Sequence, residues 1–194
     1  RLRPAAGTAN GVHPVPLGFS RVYVQLDGPF SFNAWMRGLS EGRSFVTTGP
    51  MIFARADGKW PGEIFKSNTT QEYPLECTVL SEQPLETIEL IVNGETVQRV
   101  TPQNKKSNTG SFESTVSTHF TPQATSWLAW RCFENRPNNR FRFAHSPPWH
   151  FEIPGKPLRP RRAEAEWLVA RVEEEIARSQ GIAPEGLIDD YKRS

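Results

Sequence analysis

The sequence predicts a mainly β protein: an Ig-like antiparallel β-sandwich, preceded by a small β-α-β corner and followed by a C-terminal amphipathic helix. Three observations carry this expectation. The 194 residues include 17 prolines and 14 glycines, a turn-rich composition that favours short strands over long helices. From Tyr73 onward, alternating apolar runs recur about every ten residues, separated by turn signals. After Pro160 the apolar spacing changes to steps of four, the period of a helix. Three segments follow: an α/β part over 1–62, the sandwich over 63–154, and a linker with the helix over 155–194.

Residues 1–20 are rich in Pro, Gly and Ala and read as irregular. In 21–26, Val22, Val24 and Leu26 alternate with Tyr23 and Gln25, the pattern of a strand. Ser31 is a good N-cap for a helix bearing Phe32, Trp35, Met36 and Leu39 at i, i+3, i+4 and i+7. Gly42 stops that helix. Residues 43–47 form a second strand, Gly49-Pro50 turns the chain, and 51–54 is extended. In the sandwich, Leu75, Cys77 and Val79 point to one side, as do Ile88, Leu90 and Val92. Asn93-Gly94 is the strongest hairpin signal in the chain. Strands at 97–100, 111–120, 126–133, 140–144 and 149–153 complete the set, and 102–110 reads as a polar loop. Pro154 to Pro160 is a linker, and in 161–179 Leu168, Val172 and Ile176 form a narrow stripe that a stable helix has to bury.

Composition excludes several function classes. A net charge of +2 gives no electrostatic case for nucleic acid. No run approaches the roughly 20 apolar residues of a membrane span. The chain opens on Arg-Leu-Arg-Pro without a leader pattern, which suggests a piece of a longer protein whose compartment the sequence leaves open. Cys77 and Cys132 sit in strand-like runs at a spacing comparable with the facing cysteines of immunoglobulin domains, and two buried free thiols are the alternative.

Candidate chemistry is sparse. A hydrolytic zinc site needs converging ligands, usually including a tight pair such as H-x-H or H-E-x-x-H. His13, His119, His145 and His150 form no such pair. His145 and His150 flank Ser146-Pro147-Pro148 and are the one pair whose spacing permits a shared metal. There is no G-x-S-x-G elbow, no phosphate loop and no G-x-G-x-x-G. Glu173, Glu174 and Glu175 read as a solvated helix face. Of the six tryptophans, Trp35, Trp127 and Trp130 fit core positions, leaving Trp60, Trp149 and Trp167 to stack on a sugar or to pack an interface. The sequence therefore assigns this chain no catalytic, cofactor-binding or metal-binding residue.

Three runs carry a resemblance: Arg21-Val22-Tyr23-Val24, then Phe32 to Leu39, then Gly42-Arg43-Ser44-Phe45-Val46-Thr47-Thr48-Gly49-Pro50. Together they resemble the last βα unit of bacterial CehA/McbA-type metallohydrolases, relatives of the PHP phosphoesterases. The segment Pro84 to Gly94 and the run Phe143-Ala144-His145-Ser146-Pro147 are similar to the sandwich that continues those proteins. The likeness spans residues 7 to about 165, and 43–50 is its most specific part. It implies that residues 1–62 are the end of an α/β barrel that binds divalent metal through ligands spread along its length. It also implies a metal-ligand turn just before the first strand. Here that turn is Gly7 to His13, with Ala9 where the family has Asp, and alanine coordinates nothing.

The reading is thus a non-catalytic accessory or structural region of a PHP-like, metal-dependent hydrolase-related protein. Its partner is the rest of the parent chain, and any divalent metal belongs to the upstream barrel. The parent's reaction would be hydrolysis of an ester, carbamate or phosphoester by metal-activated water. One rival is a carbohydrate- or protein-binding sandwich presenting Trp149 or Trp60. Another is a small enzyme built on His145 and His150.

Overall fold

The computed structural model describes residues 3–8, 16–137, 140–182, 186, 189 and 193. Residues up to Pro157 form one unit and those from Leu158 a second. Twelve strands of the first unit build two facing sheets. The strands are β1 (Arg21–Val24), β2 (Ser44–Thr47), β3 (Met51–Ala56), β4 (Ile64–Lys66), β5 (Tyr73–Ser81) and β6 (Leu85–Val92). They continue with β7 (Glu95–Val100), β8 (Lys105–Lys106), β9 (Phe112–Phe120), β10 (Ser126–Arg136), β11 (Arg140–His145) and β12 (Trp149–Glu152). The smaller sheet runs β3-β5-β9-β8. In the larger one, β10 is central: β6 and then β7 lie on one side, β11-β2-β1 and β12-β4 on the other.

The core follows from period-two patterning. On β5, Tyr73, Leu75, Cys77 and Val79 are buried while Pro74 and Glu76 are exposed. Ile88, Leu90, Leu128, Trp130 and Cys132 face them from the larger sheet in one cluster with Phe45, Ile52, Trp149 and Phe151. Asn93 and Gly94 both take positive φ, 51° and 86°, as a tight hairpin turn demands. The Asn93 side-chain oxygen also accepts from Trp127 N at 2.9 Å, tying that turn to β10. Asn104 pins the two sheets together. It exchanges two hydrogen bonds with the Leu85 backbone, and its own N–H donates to Ser114 Oγ on β9.

The edge of β10 changes partner where β11 gives way to β12, at Ser146-Pro147-Pro148. The prolines have no N–H to offer a ladder. Ser146 compensates: its N–H donates to Trp130 O, and its Oγ accepts from Trp130 N.

The α/β corner is woven into both sheets. Helix α1 (Phe32–Glu41) starts on Ser31, whose Oγ accepts from Ala34 N, and ends on Gly42 at φ 79°. β1 and β2 pair antiparallel, Tyr23 opposite Phe45. β2 pairs with β11 in the larger sheet and β3 with β5 in the smaller, so this segment contributes to both layers. The crossing between sheets is the Thr47–Pro50 turn. Thr47 Oγ1 accepts from Gly49 N and donates to Pro50 O, while Thr48 bonds twice with the Phe143 backbone. The polar loop expected at 102–110 contains the two-residue β8, and the unforeseen β4 pairs parallel with β12.

The second unit holds helix α2 (Arg162–Ser179). Glu164 accepts from Arg161 N at its start, and Arg162–Glu166 and Arg178–Glu175 ion pairs line its surface. None of its residues is buried.

Candidate functional site

The histidines are held apart. His119 is exposed on β9 opposite Pro74. His145 lies opposite Arg131 on β10, and His150 lies opposite Trp127. Four residues of strand separate those two positions, roughly 13 Å at the usual rise. The pair that spacing allowed is therefore not brought together. His145 Nδ1 sits 2.6 Å from the Ser146 carbonyl. Burial, helped by the neighbouring Arg131 and opposed by the hydrogen bond to Ser146, lowers its pKa below the ordinary value, and Nδ1 is the donor because a carbonyl oxygen only accepts. Ala9 and His13 lie outside the described residues. Among the described residues, no three His, Cys, Asp or Glu side chains cluster in a way that would hold a metal ion.

The cysteines are free thiols in the core on facing sheets. Burial pushes the Cys132 thiol up to about 12 and Cys77 well above its ordinary value, and an un-ionised thiol is a poor nucleophile. Of the three tryptophans offered to a ligand, Trp149 is fully buried and donates Nε1–H to Lys59 O at 3.1 Å. Trp167 is exposed on α2 beside Arg171. Trp60 is half-buried, with the Arg55 guanidinium 3.4 Å above its ring centre.

Sequence reasoning missed two features. The first is a charge cluster on the larger sheet, where Glu89 accepts from Arg99 Nε at 2.9 Å and Arg131 Nε at 2.5 Å. Glu89 interrupts an apolar run, and that interruption was the available signal. The second is apolar exposure around α1. Phe30 is 74% exposed and Phe32 69%, and Leu17 and Met36 are also open. The helix does pack on β1, where Gly38 leaves room for Val24: a Cβ at 38 would meet Val24 Cγ1 at 2.5 Å. Its stripe is only partly used there, since Trp35 and Leu39 are half-buried. β1 itself ends the larger sheet.

No protein-family model matches the chain, and no curated protein or solved structure matches it either.

Proposed function

We propose that the chain is a non-catalytic accessory region of a larger PHP-like, metal-dependent hydrolase-related protein, and that its α1 edge is the surface on which the rest of that protein packs. The observation that carries this reading is the uncovered apolar face of Phe30, Phe32 and Met36 beside a sheet-terminal strand. An end strand presents a row of backbone N–H and C=O groups ready for another strand. A half-used helix stripe beside it supplies apolar surface for the next layer. The runs at 21–24, 32–39 and 42–50 supply the family side of the argument. Because β1 pairs only with β2 among the described residues, its outer edge is the place where a barrel sheet would join. Ig-like character belongs to the same proposal and is supported by Cys77 and Cys132 on opposing sheets. The rival binding module loses Trp149 to the core.

The test replaces Phe30, Phe32 and Met36 with serine. In this chain alone, exposed substitutions should change stability by no more than about 0.5 kcal/mol each and should raise solubility. In the longer protein the same changes should lower the melting temperature by several degrees. Equal destabilisation of both would sink the docking surface. Turnover of an ester, carbamate or phosphoester by the isolated chain with added zinc or manganese, lost on His145→Ala, would sink the non-catalytic reading.

A further inference from the structure

Where β1 and β2 approach β3, the sheets border a partly open cavity of about 140 Å³. Its walls are chiefly apolar and aromatic: Tyr23, Phe45, Met51, Phe53, Ala54 and Trp60. Tyr23 and Phe45 stack with ring centres 5.2 Å apart, and Phe53 meets Phe45 edge-on at 5.9 Å, so three aromatic walls are fixed against one another. A volume of roughly 150 Å³ is enough to accept one benzene-sized ring.

This cavity adjoins a charged cleft of about 500 Å³, and Arg43, Trp60 and Pro61 line both. The cleft carries Arg3, Arg43, Arg55 and Lys59 against Glu41 and Glu63. Arg43 is already satisfied by Asp27 at 2.7 Å and Glu41 at 3.0 Å. Arg55 is not: its Nη1 donates to Gly58 O at 3.1 Å, its guanidinium carbon sits 3.4 Å from the Trp60 ring centre, and it forms no ion pair among the described residues. A guanidinium held over an indole with one donor engaged keeps its other donors available in a fixed fork, the arrangement that suits a carboxylate. Trp60 joins the two halves, because it lines the cavity and also carries Arg55.

We propose that cavity and cleft are one binding site for a small arylalkyl carboxylate, with its single ring among Tyr23, Phe45 and Trp60 and its carboxylate on Arg55. The excess of basic over acidic groups at the cleft selects an anion. The cavity volume limits the apolar part to one ring. The site does not depend on the accessory role proposed above, since every residue that lines it belongs to this chain.

The experiment titrates the chain with phenylpropionate, following amide chemical shifts and tryptophan fluorescence. Phenylpropanol and phenylpropylamine serve as neutral and cationic analogues, and acetate as the anion without a ring. Saturable one-site shifts confined to 23–24, 44–45, 51–55 and Trp60 are expected for phenylpropionate, with both analogues at least tenfold weaker. Arg55→Gln should weaken phenylpropionate about tenfold, the loss of one charge-assisted contact, and leave phenylpropanol unchanged. Ala54→Leu should fill the cavity and abolish binding of both. Should that variant fail to fold, Arg55→Gln still decides the matter. Non-saturable shifts, binding of phenylpropylamine as tight as phenylpropionate, identical shifts from acetate, or an Arg55→Gln protein that binds phenylpropionate undiminished would each overturn the site.

Discussion

Glu89 sits on β6 between Ile88 and Leu90, on the face opposite their core-directed side chains. It is nevertheless almost fully buried, beneath Arg99 and Arg131. Burial pushes its pKa up, while the hydrogen bonds and charges of the two arginines push it down, and the arginines win. The folded state therefore binds the proton less readily than the unfolded chain. Stability from this group is fully present above the ordinary carboxylate value of about 4.5 and is lost as pH falls through the lower folded value. Glu89→Gln should cost roughly 1–3 kcal/mol at neutral pH, because two arginines lose a charged acceptor. Urea unfolding of both proteins across pH 3–7 is the measurement. The gap should narrow below about pH 4.5, and a constant gap would mean that shape rather than charge is what Gln fails to supply.

Two glycines separate backbone strain from steric exclusion at the level of the elements. Gly94 closes the β6–β7 hairpin at φ 86°, and a Cβ there would meet only a Trp127 ring atom, at an undemanding 3.9 Å. Gly62 has φ 91°, and a Cβ there would lie 1.8 Å from Glu41 O at the end of α1. Gly94→Ala should thus cost about 1–2 kcal/mol, the left-handed penalty alone. Gly62→Ala should cost clearly more, since the end of α1 has to move as well. Denaturant midpoints rank the two variants, and equal costs would contradict the close approach. The same elements explain what the sequence made legible. α1 could be bounded because Ser31 and Gly42 act locally, through a cap bond and a left-handed turn. β5 could be oriented because one residue in two is apolar. β4 and β8, three and two residues long, are too short to show a period, and only their partners β12 and β9 define them. The antiparallel pairing of β1 with β2 was hidden for a related reason: a strand, a helix and a strand read alike whichever way the second strand runs.

At the scale of the whole molecule, the legible part of the candidate site was its aromatic content, and the illegible part was its assembly. Trp60 stood out as a residue type, but nothing adjacent in sequence announces that Tyr23 and Phe45 from the larger sheet meet Phe53 from the smaller one beside it. That meeting depends on the chain crossing between layers at Thr47–Pro50. The crossing also decides how the first unit folds. A sandwich confined to 63–154 would lack β2 and β3, and with them the core residues Phe45, Ile52, Ala54 and Ala56. Burial of Phe45 and Ile52 alone is worth about 1.5–3 kcal/mol each. Their sum, about 3–6 kcal/mol, is a large fraction of the net stability of a typical domain, roughly 5–15 kcal/mol. The loss also uncovers the β5 edge that β3 occupies, leaving a long strand open to intermolecular pairing. Residues 63–154 expressed alone should therefore be aggregation-prone and show no cooperative melt, whereas residues 1–157 should unfold in a single transition. Calorimetry of the two fragments distinguishes the cases. A cooperative, monomeric 63–154 would mean that the α/β corner is an attachment after all, and that the sandwich core closes without the strands that cross into it.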